Sequence, residues 1–368
     1  MALTNYWWLL IWIFAAGGIM AVVVPKQKKI VCGKMKYRWG WISAFALFLP
    51  YIIWAGFRSS SVGDTYAYEM MYKGIPNSIG ALLNYLPTVK KDTGFTVLGG
   101  IIKVLFGDNT IIYFMILALI QGVILVYIYR KYSTNYLLSI FLFIASTDYI
   151  SWMFNGIRQF TAVTIIFAAT PLMLKKKWVP LIFTIVLAST IHGSALLMIP
   201  VVFLVQGKAW NKKTLAFMLL CIVALVFADQ FTDILDTLLS DTQYTNVVSD
   251  WKDLNDDGTN IIRVLVYAIP TIMSFFGRKW LDEKQEPIIN MSINMSIIST
   301  AIFLVSNRTS GVFVGRLPIF VSLYNYILMP YLIDQMFTKE SARIVKMLMI
   351  IGYIGFFYYQ VHFSWALI

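Results

Sequence analysis

The sequence has little charge, little cysteine and only two histidines, and these shortages exclude several classes of protein. Charged residues make up 13% of its 368 residues, whereas soluble domains contain about a quarter. The two cysteines, Cys32 and Cys221, are far apart and form no CxxC pair, so neither a disulfide framework nor a thiolate metal site is indicated. The composition therefore excludes both an ordinary soluble protein and a small cysteine-stabilised one.

The sequence also lacks the short motifs of several enzyme classes. It contains no Walker loop, no glycine-rich dinucleotide motif after a strand, no HExxH and no Gly-x-Ser-x-Gly elbow. Such motifs hold nucleotide phosphates, a catalytic zinc ion or a nucleophilic serine. ATP-driven transport, nicotinamide redox chemistry and zinc proteolysis are consequently unsupported.

Apolar sequence is what the chain has in excess. Hydrophobic residues make up 59% of it, aromatic residues 16%, and the mean hydropathy is +0.72. A membrane-spanning helix needs about 20 apolar residues. Apolar stretches occur at 6–24, 39–57, 110–129, 137–154, 157–174, 178–206, 214–231, 261–277, 291–306, 312–333 and 345–363. We predict an all-α, polytopic integral membrane protein of about 11–12 helices, with residues 1–368 forming one transmembrane domain.

The distribution of lysine and arginine predicts the orientation, because basic residues favour the cytoplasmic side. A basic cluster follows the first apolar stretch and nothing basic precedes it, so we expect an uncleaved first helix with its N-terminus outside. Lysines flank the stretch 178–206 on both sides, which predicts a short hairpin with its turn near His192–Gly193. With this hairpin the net charge of +12 is a topology signal and implies no nucleic acid.

Two long loops fall on the predicted outer side and are expected to cover the active site. Residues 58–109 contain amphipathic segments that predict outer-face helices, and residues 232–260 are rich in aspartate. In the second loop Asp253, Asn255 and Asp257 match the first half of a calcium loop, but its twelfth position holds valine. An aspartate-rich turn is favoured over bound calcium, and no cofactor is expected to be required.

Arginines occur inside or at the edge of apolar stretches on the predicted outer side. They are Arg158, Arg263 and Arg316, with Arg308 and Arg58 nearer the surface. An arginine costs up to about 3 kcal/mol at the membrane centre, and its planar guanidinium binds phosphate through two parallel hydrogen bonds. The set indicates a site for a phosphate-bearing lipid. The alternative for each arginine is snorkelling to headgroups or pairing with a carboxylate.

Two other polar residues allow both a chemical and a structural interpretation. His192, at the predicted hairpin tip, can act as a general base near neutral pH or can bond to a helix carbonyl. Asp64 precedes Tyr66 and Tyr68, so its carboxylate can contact or deprotonate a sugar hydroxyl. It can equally cap a helix, and the sequence leaves both pairs of alternatives open.

Four short motifs occur in order along the chain. They are Gly63-Asp-Thr-Tyr-Ala-Tyr68, Asp92-Thr-Gly-Phe95, Asn155-Gly-Ile-Arg-Gln159 and Ile191-His-Gly-Ser-Ala195. Together they resemble the EpsG family of bacterial exopolysaccharide polymerases, which are Wzy-type membrane glycosyltransferases. The resemblance covers residues 60–206 and extends more loosely to Arg316. Asp92-Thr93 is a departure, because the family has a Glu-Pro-like pair there.

The resemblance implies transfer of a glycan without nucleotide, because the substrate is already activated. A chain carried on polyprenyl pyrophosphate, on the outer face of the bacterial cytoplasmic membrane, moves onto the sugar end of a fresh lipid-linked unit. Polyprenyl pyrophosphate is released. Besides this lipid-linked glycan and membrane lipids, a chain-length regulator and a flippase of the same pathway are the implied partners.

That reaction needs positive charge at the leaving pyrophosphate and a base for the attacking hydroxyl. The residues singled out above supply hypotheses for each role. We assign the pyrophosphate to Arg158 and Arg316, with Arg263 as a further candidate, and the proton to Asp64 or His192. Contacts with sugar are assigned to Tyr66, Tyr68 and Asp92, and Arg308 is a further substrate-binding candidate.

Two other functions stay open on the sequence alone. An O-antigen-ligase-like transferase uses a similar lipid donor with another acceptor, and the length of the product distinguishes it from a polymerase. A flippase or other transporter of the lipid-linked oligosaccharide would place charged residues near mid-membrane and show an internal repeat. The sequence shows no such repeat, and the charged residues in its apolar stretches cluster toward the predicted outer side of the membrane.

Overall fold

The structure is a computed structural model that describes most of the chain. The described residues are 6–227, 230, 234, 237, 258–281 and 286–365. Most of the aspartate-rich loop lies outside the described residues, and so do the predicted calcium ligands Asp253, Asn255 and Asp257.

The chain divides into two compact units, of which the first comprises Met1–Leu197 and Phe337–Ile368. Its α-helices are α1 Trp7–Val23, α2 Trp41–Gly56, α3 Thr65–Gly74, α4 Ile79–Tyr85, α5 Thr93–Phe106, α6 Thr110–Tyr132, α7 Tyr136–Ala145, α8 Ile157–Ala168, α9 Thr170–Leu174, α10 Trp178–Ile191 and, near the C-terminus, α17 Lys339–Tyr359. Short 3-10 turns occupy Leu86–Thr88 and Gly193–Leu197, and π-helical segments occupy Tyr149–Asn155 and Gln360–Ser364.

The second unit comprises Met198–Met336. Its described α-helices are α11 Met198–Leu204, α12 Lys212–Val226, α13 Ile261–Phe276, α14 Pro287–Ser306, α15 Ile319–Ser322 and α16 Asn325–Met336. Two 3-10 turns occupy Gly277–Lys279 and Val314–Arg316.

The lengths and compositions of these helices confirm the predicted all-α, polytopic membrane fold. Four helical segments among the described residues are long and apolar enough to cross a bilayer: Thr110–Tyr132, Ile261–Lys279, Pro287–Ser306 and Lys339–Ser364. Two bent pairs add to them if each is one span. They are Tyr136–Ala145 with Tyr149–Asn155, bent by 70°, and Val314–Ser322 with Asn325–Met336, bent by 56°. Every apolar stretch identified in the sequence overlaps a helix.

Asparagine side chains fix the first residues of several helices. Those of Asn109, Asn135, Asn211 and Asn260 accept hydrogen bonds from backbone N–H groups in the first turns of α6, α7, α12 and α13. A cap of this kind contributes about 1 kcal/mol. The apolar runs therefore determine that these helices form, while the caps determine where they begin.

The basic segment between α1 and α2 is a two-stranded antiparallel hairpin, an exception to the predicted all-α fold. Its strands are β1 Lys26–Val31 and β2 Lys34–Trp39. Cys32 and Gly33 form the turn with φ of 49° and 69°, as tight two-residue hairpins require. The alternation of basic and apolar residues in β2 has the period of a strand, but its high charge concealed that signal.

The helix boundaries confirm that 58–109 contains helices and that the stretch 178–206 is broken near His192, while the outer-face location of the first segment stays a prediction. The segment 58–109 contains α3, α4 and α5, and α10 ends at the predicted break, where His192 is extended with φ −154° and ψ 118°. The antiparallel arrangement of the two arms of 178–206 stays a prediction.

Candidate functional site

Arg158 and Asp92 form an ion pair in the first unit. Nη1 of Arg158, in the first turn of α8, lies 2.7 Å from Oδ2 of Asp92, the residue before α5. The Asp92 side chain is 10% exposed and that of Arg158 is 33% exposed. Nε of Arg158 is buried and has no hydrogen-bond partner among the described residues. The pair joins two of the four motifs and leaves one donor of the guanidinium unused.

The backbone of Asp92 directs its carboxylate away from the helix that it precedes. Asp92 has φ +52°, in the left-handed region, and its side chain does not cap α5. The carboxylate instead accepts from the N–H of Gly193 as well as from Arg158. Burial raises the pKa of Asp92 above its ordinary value, and Arg158, the Gly193 N–H and Lys91 oppose that rise. Asp92 thus binds a proton more readily than an exposed aspartate does.

Close packing between α5 and α10 brings Gly193 to Asp92. A Cβ atom on Gly94 would lie 2.1 Å from Oγ1 of Thr190 and 2.9 Å from the backbone carbon of the same residue. The absence of a side chain at Gly94 therefore lets the start of α5 meet the end of α10. This contact joins the Asp92 motif to the motif that contains His192.

Tyr68 completes the surroundings of Arg158. Its ring centroid lies 5.8 Å from Cζ of Arg158, and its side chain is also hydrogen-bonded to the guanidinium. Tyr68 is buried and packs edge-on against Phe95. Tyr66 is 61% exposed on another face of α3, because two residues turn a helix by about 200°. The structure brings Tyr68 to the ion pair and leaves Tyr66 at the surface.

Asn155 positions Asp64, the first candidate for the general base. The backbone N–H of Asp64 donates to Oδ1 of Asn155 at 2.9 Å. Gly63 has φ +51°, and a Cβ atom there would lie 2.6 Å from the same oxygen. Asp64 occupies the N-cap position of α3, yet its side chain makes no capping bond and is exposed. The Asp64 carboxylate therefore does not cap α3, which was the structural alternative to a chemical role.

Arg58 is buried, although the sequence predicted it nearer the surface. It is 8% exposed and donates to the carbonyls of Ala55, Met153 and Phe154. Its Cζ lies 4.6 Å from the ring centroid of Phe114 and 4.9 Å from that of Phe154. The distorted segment Tyr149–Asn155 offers the carbonyls of Met153 and Phe154, and the need of buried carbonyls for donors explains the burial of Arg58. Burial lowers the pKa of Arg58 to about 10, so it stays charged at neutral pH and fixes the segment that ends at Asn155.

His192, the second candidate for the base, is held by a neighbouring hydroxyl. Its Nδ1 lies 2.7 Å from Oγ of Ser194, and the tautomer determines which atom donates. His192 is half-buried, whereas Ser194 is 7% exposed. Fixing Nδ1 in this way orients the ring, and an oriented base can be held within hydrogen-bond reach of the proton that it takes.

The other three predicted arginines lie in the second unit, around Thr259. Oγ1 of Thr259 accepts from Oγ of Ser306 at 2.7 Å, and a Cβ atom on Gly315 would lie 2.4 Å from the same oxygen. Arg263 lies in the first turn of α13, four residues after Thr259, and its Cζ is 5.5 Å from the ring centroid of Tyr267. Arg308 and Arg316 follow Ser306 and Gly315 closely in the chain. The segments that carry these arginines therefore meet at one corner of the unit.

Sequence reasoning missed three contributors to the first unit's site. Asn155, Gly94 and the N–H of Gly193 all stand inside the quoted motifs, but the sequence alone assigns none of them a role in the site. A polar residue at the end of an apolar stretch was the available signal for Asn155. For the glycines no signal existed, because close backbone approach is visible only in the folded chain. Within the described residues, no group of three or more His, Cys, Asp or Glu is arranged to hold a metal ion.

Comparison with known proteins supplies a family. The family model described as EpsG family matches residues 41–366. Neither a curated protein nor a solved structure gave a significant match. The match covers nearly the whole chain, and the family indicates a polysaccharide polymerase-like glycosyltransferase. With its apolar helices, this chain is a multi-pass membrane protein that belongs to the EpsG family.

Proposed function

We propose that the protein is a polysaccharide polymerase that joins oligosaccharide repeat units carried on polyprenyl pyrophosphate. In this proposal it works at the outer face of the bacterial cytoplasmic membrane and releases polyprenyl pyrophosphate. An O-antigen-ligase-like transfer is the alternative in the same chemical class, and it differs only in the acceptor.

The observation that carries the proposal is the meeting of four separate motifs in the first unit. Arg158 is bonded to Asp92 and Tyr68, Asp92 to Gly193, and Asn155 to the N–H of Asp64. A guanidinium beside aromatic and carboxylate groups suits a substrate that has both phosphate and sugar. The buried, unpartnered Nε of Arg158 supports this, since a buried donor gains from an added acceptor.

The proposed step exchanges one carbon–oxygen bond for another. A hydroxyl oxygen of the acceptor sugar bonds to the anomeric carbon of the donor chain, while the bond from that carbon to the pyrophosphate oxygen breaks. The bonding pair leaves with the pyrophosphate, and the hydroxyl proton passes to a base of the enzyme. The donor is already activated, so the step consumes no nucleotide.

The proposed role of Arg158 is to stabilise the leaving pyrophosphate electrostatically. Negative charge grows on the pyrophosphate oxygens as the bond breaks, and a fixed guanidinium stabilises that charge without reorganising. Asp92 holds Arg158 in place before the substrate binds. A pyrophosphate can then share or replace this carboxylate, because phosphate offers the same pattern of acceptors.

Asp64 and His192 are the two proposed bases. The Asp64 carboxylate is exposed and makes no capping bond, and its backbone is fixed by Asn155. The His192 ring is fixed through Ser194. Tyr68 is buried against Arg158 and Phe95, so its proposed part is to hold the guanidinium in place, whereas the exposed Tyr66 keeps the proposed contact with sugar.

Chain extension in reconstituted vesicles tests the proposal. Purified protein in lipid receives a polyprenyl-pyrophosphate-linked repeat unit from its own host, and the products are separated by size. We expect a ladder from the wild type and none from Arg158→Ala. The matched control is Arg343→Ala, which removes an exposed arginine of α17, and it should give a normal ladder.

The other outcomes identify the competing functions. A single transfer to a different acceptor would establish a ligase. Movement of the intact lipid between leaflets without transfer would establish a flippase. A full ladder from Arg158→Ala would contradict the assignment of Arg158 even if the protein is a polymerase.

A further inference from the structure

The hairpin β1–β2 carries a high positive charge and contains no acidic residue of its own. It contains Lys26, Lys28, Lys29, Lys34, Lys36 and Arg38, and residues 1–63 include no aspartate or glutamate. The helix against which it packs, α6, has Arg130 and Lys131 in its last turn, and residues 109–147 also contain no acid. Neither the hairpin nor the adjoining helix ends can therefore neutralise this charge from within.

Contacts with the ends of two helices hold the hairpin in place. Nε of Arg130 donates to the carbonyl of Trp39 at 2.8 Å, and Sγ of Cys32 bonds to the carbonyl of Tyr132 at 3.2 Å. The ring centroid of Trp39 lies 5.7 Å from that of Tyr136 at the start of α7. Since α6 is long and apolar enough to span a bilayer, we place its end where a span meets water. The hairpin is thus a fixed element at the membrane surface.

One face of the hairpin gathers cations. In the strand register, Lys29 pairs with Lys36 and Gln27 with Arg38, so their side chains share a face. Arg38 and Arg130 lie near enough to repel each other, and Nε of Arg38 is buried without a hydrogen-bond partner among the described residues. Repelling cations with an unused donor are stabilised by a bound anion.

The opposite face exposes large apolar side chains. Ile30 pairs with Met35, and Lys28 pairs with Tyr37. Ile30 is 71% exposed, Met35 64% and Tyr37 63%. Apolar tips beside an aromatic ring and lysines are the composition of segments that lie in the headgroup region of a bilayer. In water alone, these exposed apolar side chains would have no apolar surface to contact.

We propose that the hairpin β1–β2 is a binding site for anionic phospholipids. Ile30 and Met35 enter the boundary between headgroups and acyl chains, while Lys29, Lys36 and Arg38 bind the headgroup phosphates together with the basic end of α6. Anionic lipid is the occupant that satisfies both faces, because it brings phosphate and hydrocarbon to the same surface. This site is independent of the proposed polymerase reaction.

Lipid retention by the full-length protein tests the charged face. Detergent-solubilised protein is mixed with equal amounts of phosphatidylglycerol and phosphatidylcholine, separated by size exclusion, and its bound lipid is measured by mass spectrometry. We expect the wild type to retain phosphatidylglycerol in preference. The variant Lys29→Gln/Lys36→Gln/Arg38→Gln should lower that retention at least tenfold, since several cations act together.

A second basic loop provides a matched control. The variant Lys175→Gln/Lys176→Gln/Lys177→Gln removes the same charge from a segment that forms no hairpin, and we expect it to retain phosphatidylglycerol. Equal losses in both variants would overturn the proposal, because they would mean that any basic loop serves. A wild type without preference for phosphatidylglycerol would overturn it as well.

Depth measurement tests the apolar face without relying on the charge variants. A spin label at Met35→Cys, in a Cys32→Ser/Cys221→Ser background, is measured in phosphatidylglycerol-containing vesicles. We expect the label to be accessible to dissolved oxygen and shielded from a water-soluble nickel complex. A label at Gly80, which adjoins open space in α4, serves as the comparison. Full access of the nickel complex to position 35 would contradict the proposal.

Discussion

The backbone N–H of Asp64 donates to Oδ1 of Asn155 across 91 positions of the chain, at a distance of 2.9 Å. This bond joins the start of α3 to the start of α8. It places the carboxylate of Asp64 and the guanidinium of Arg158 on segments that are fixed to each other, although no local signal couples them.

Removal of the Asn155 amide should therefore impair activity more than folding. Asn155→Ala leaves the Asp64 N–H without its acceptor, and we expect at least a tenfold loss of polymerisation, because catalytic groups tolerate little displacement. Asn155→Asp keeps the acceptor oxygen and should retain more activity. Initial rates of chain extension, with thermal unfolding as the folding check, measure both. Normal activity in Asn155→Ala would mean that Asn155 has no role in the site.

The identity of the base can be decided by two conservative variants. Asp64→Asn preserves shape and disturbs no capping bond, while His192→Gln keeps a polar partner for Ser194. We expect one of them to lose about 10²–10⁴-fold in rate, the usual worth of a general base, and the other to stay active. Chain extension measured from pH 5 to 9 adds a check, since a histidine base titrates near neutrality. Two fully active variants would exclude both residues.

Asp92 should make stability depend on pH. Its folded pKa is raised, mainly by burial, so the folded protein binds this proton more tightly than the unfolded chain does. The resulting stabilisation is complete below the ordinary aspartate pKa and is lost as the pH rises through the raised value. We expect the stability of the wild type relative to Asp92→Asn to fall across that window. Thermal unfolding in detergent at successive pH values measures this difference, and a rising difference would contradict the sign.

Removal of Arg158 should move the upper end of that pH range to a higher pH. Arg158 opposes the rise in the Asp92 pKa, so the Arg158→Ala variant should keep Asp92 protonated to a higher pH. The same unfolding series measures the shift, and an unchanged window would show that the pair contributes little.

Arg58 should be a structural residue rather than a substrate ligand. Arg58→Ala leaves buried carbonyls of Met153 and Phe154 without donors, which costs about 1–3 kcal/mol for each group left unsatisfied. We expect a clear fall in unfolding temperature, and loss of activity as a consequence. Arg343→Ala, at an exposed position, should leave the unfolding temperature unchanged. A stable Arg58→Ala protein that lacks only activity would instead point to contact with the substrate.

Arg316 and Arg263 should affect binding of the donor. Their predicted role is to hold pyrophosphate, so Arg316→Gln and Arg263→Gln should raise the donor concentration needed for half-maximal rate. Arg278→Gln removes an exposed arginine of the same unit and should not. Donor titrations in the chain-extension assay separate these cases. If the first two variants behave like Arg278→Gln, the arginines of the second unit play no part in donor binding.

The sequence by itself determined the helices, their membrane character, the break at His192 and the motif residues of the site. These features depend on short-range properties. The length of an apolar stretch determines whether it can span a bilayer, and an asparagine N-cap determines where a helix begins. The β-hairpin also had a local signal, the alternation in β2, which its density of charge concealed.

Only the tertiary structure decided which motif residues meet. Asp92 and Arg158 are 66 positions apart, and their pairing depends on how α5 and α8 each pack against α10. The burial of Arg58 depends in the same way on carbonyls released by the distorted segment Tyr149–Asn155. Local sequence fixes which helices form, because hydrogen bonds and caps act within a few residues. The partners of each polar side chain are fixed by close packing between helices, which no single segment encodes.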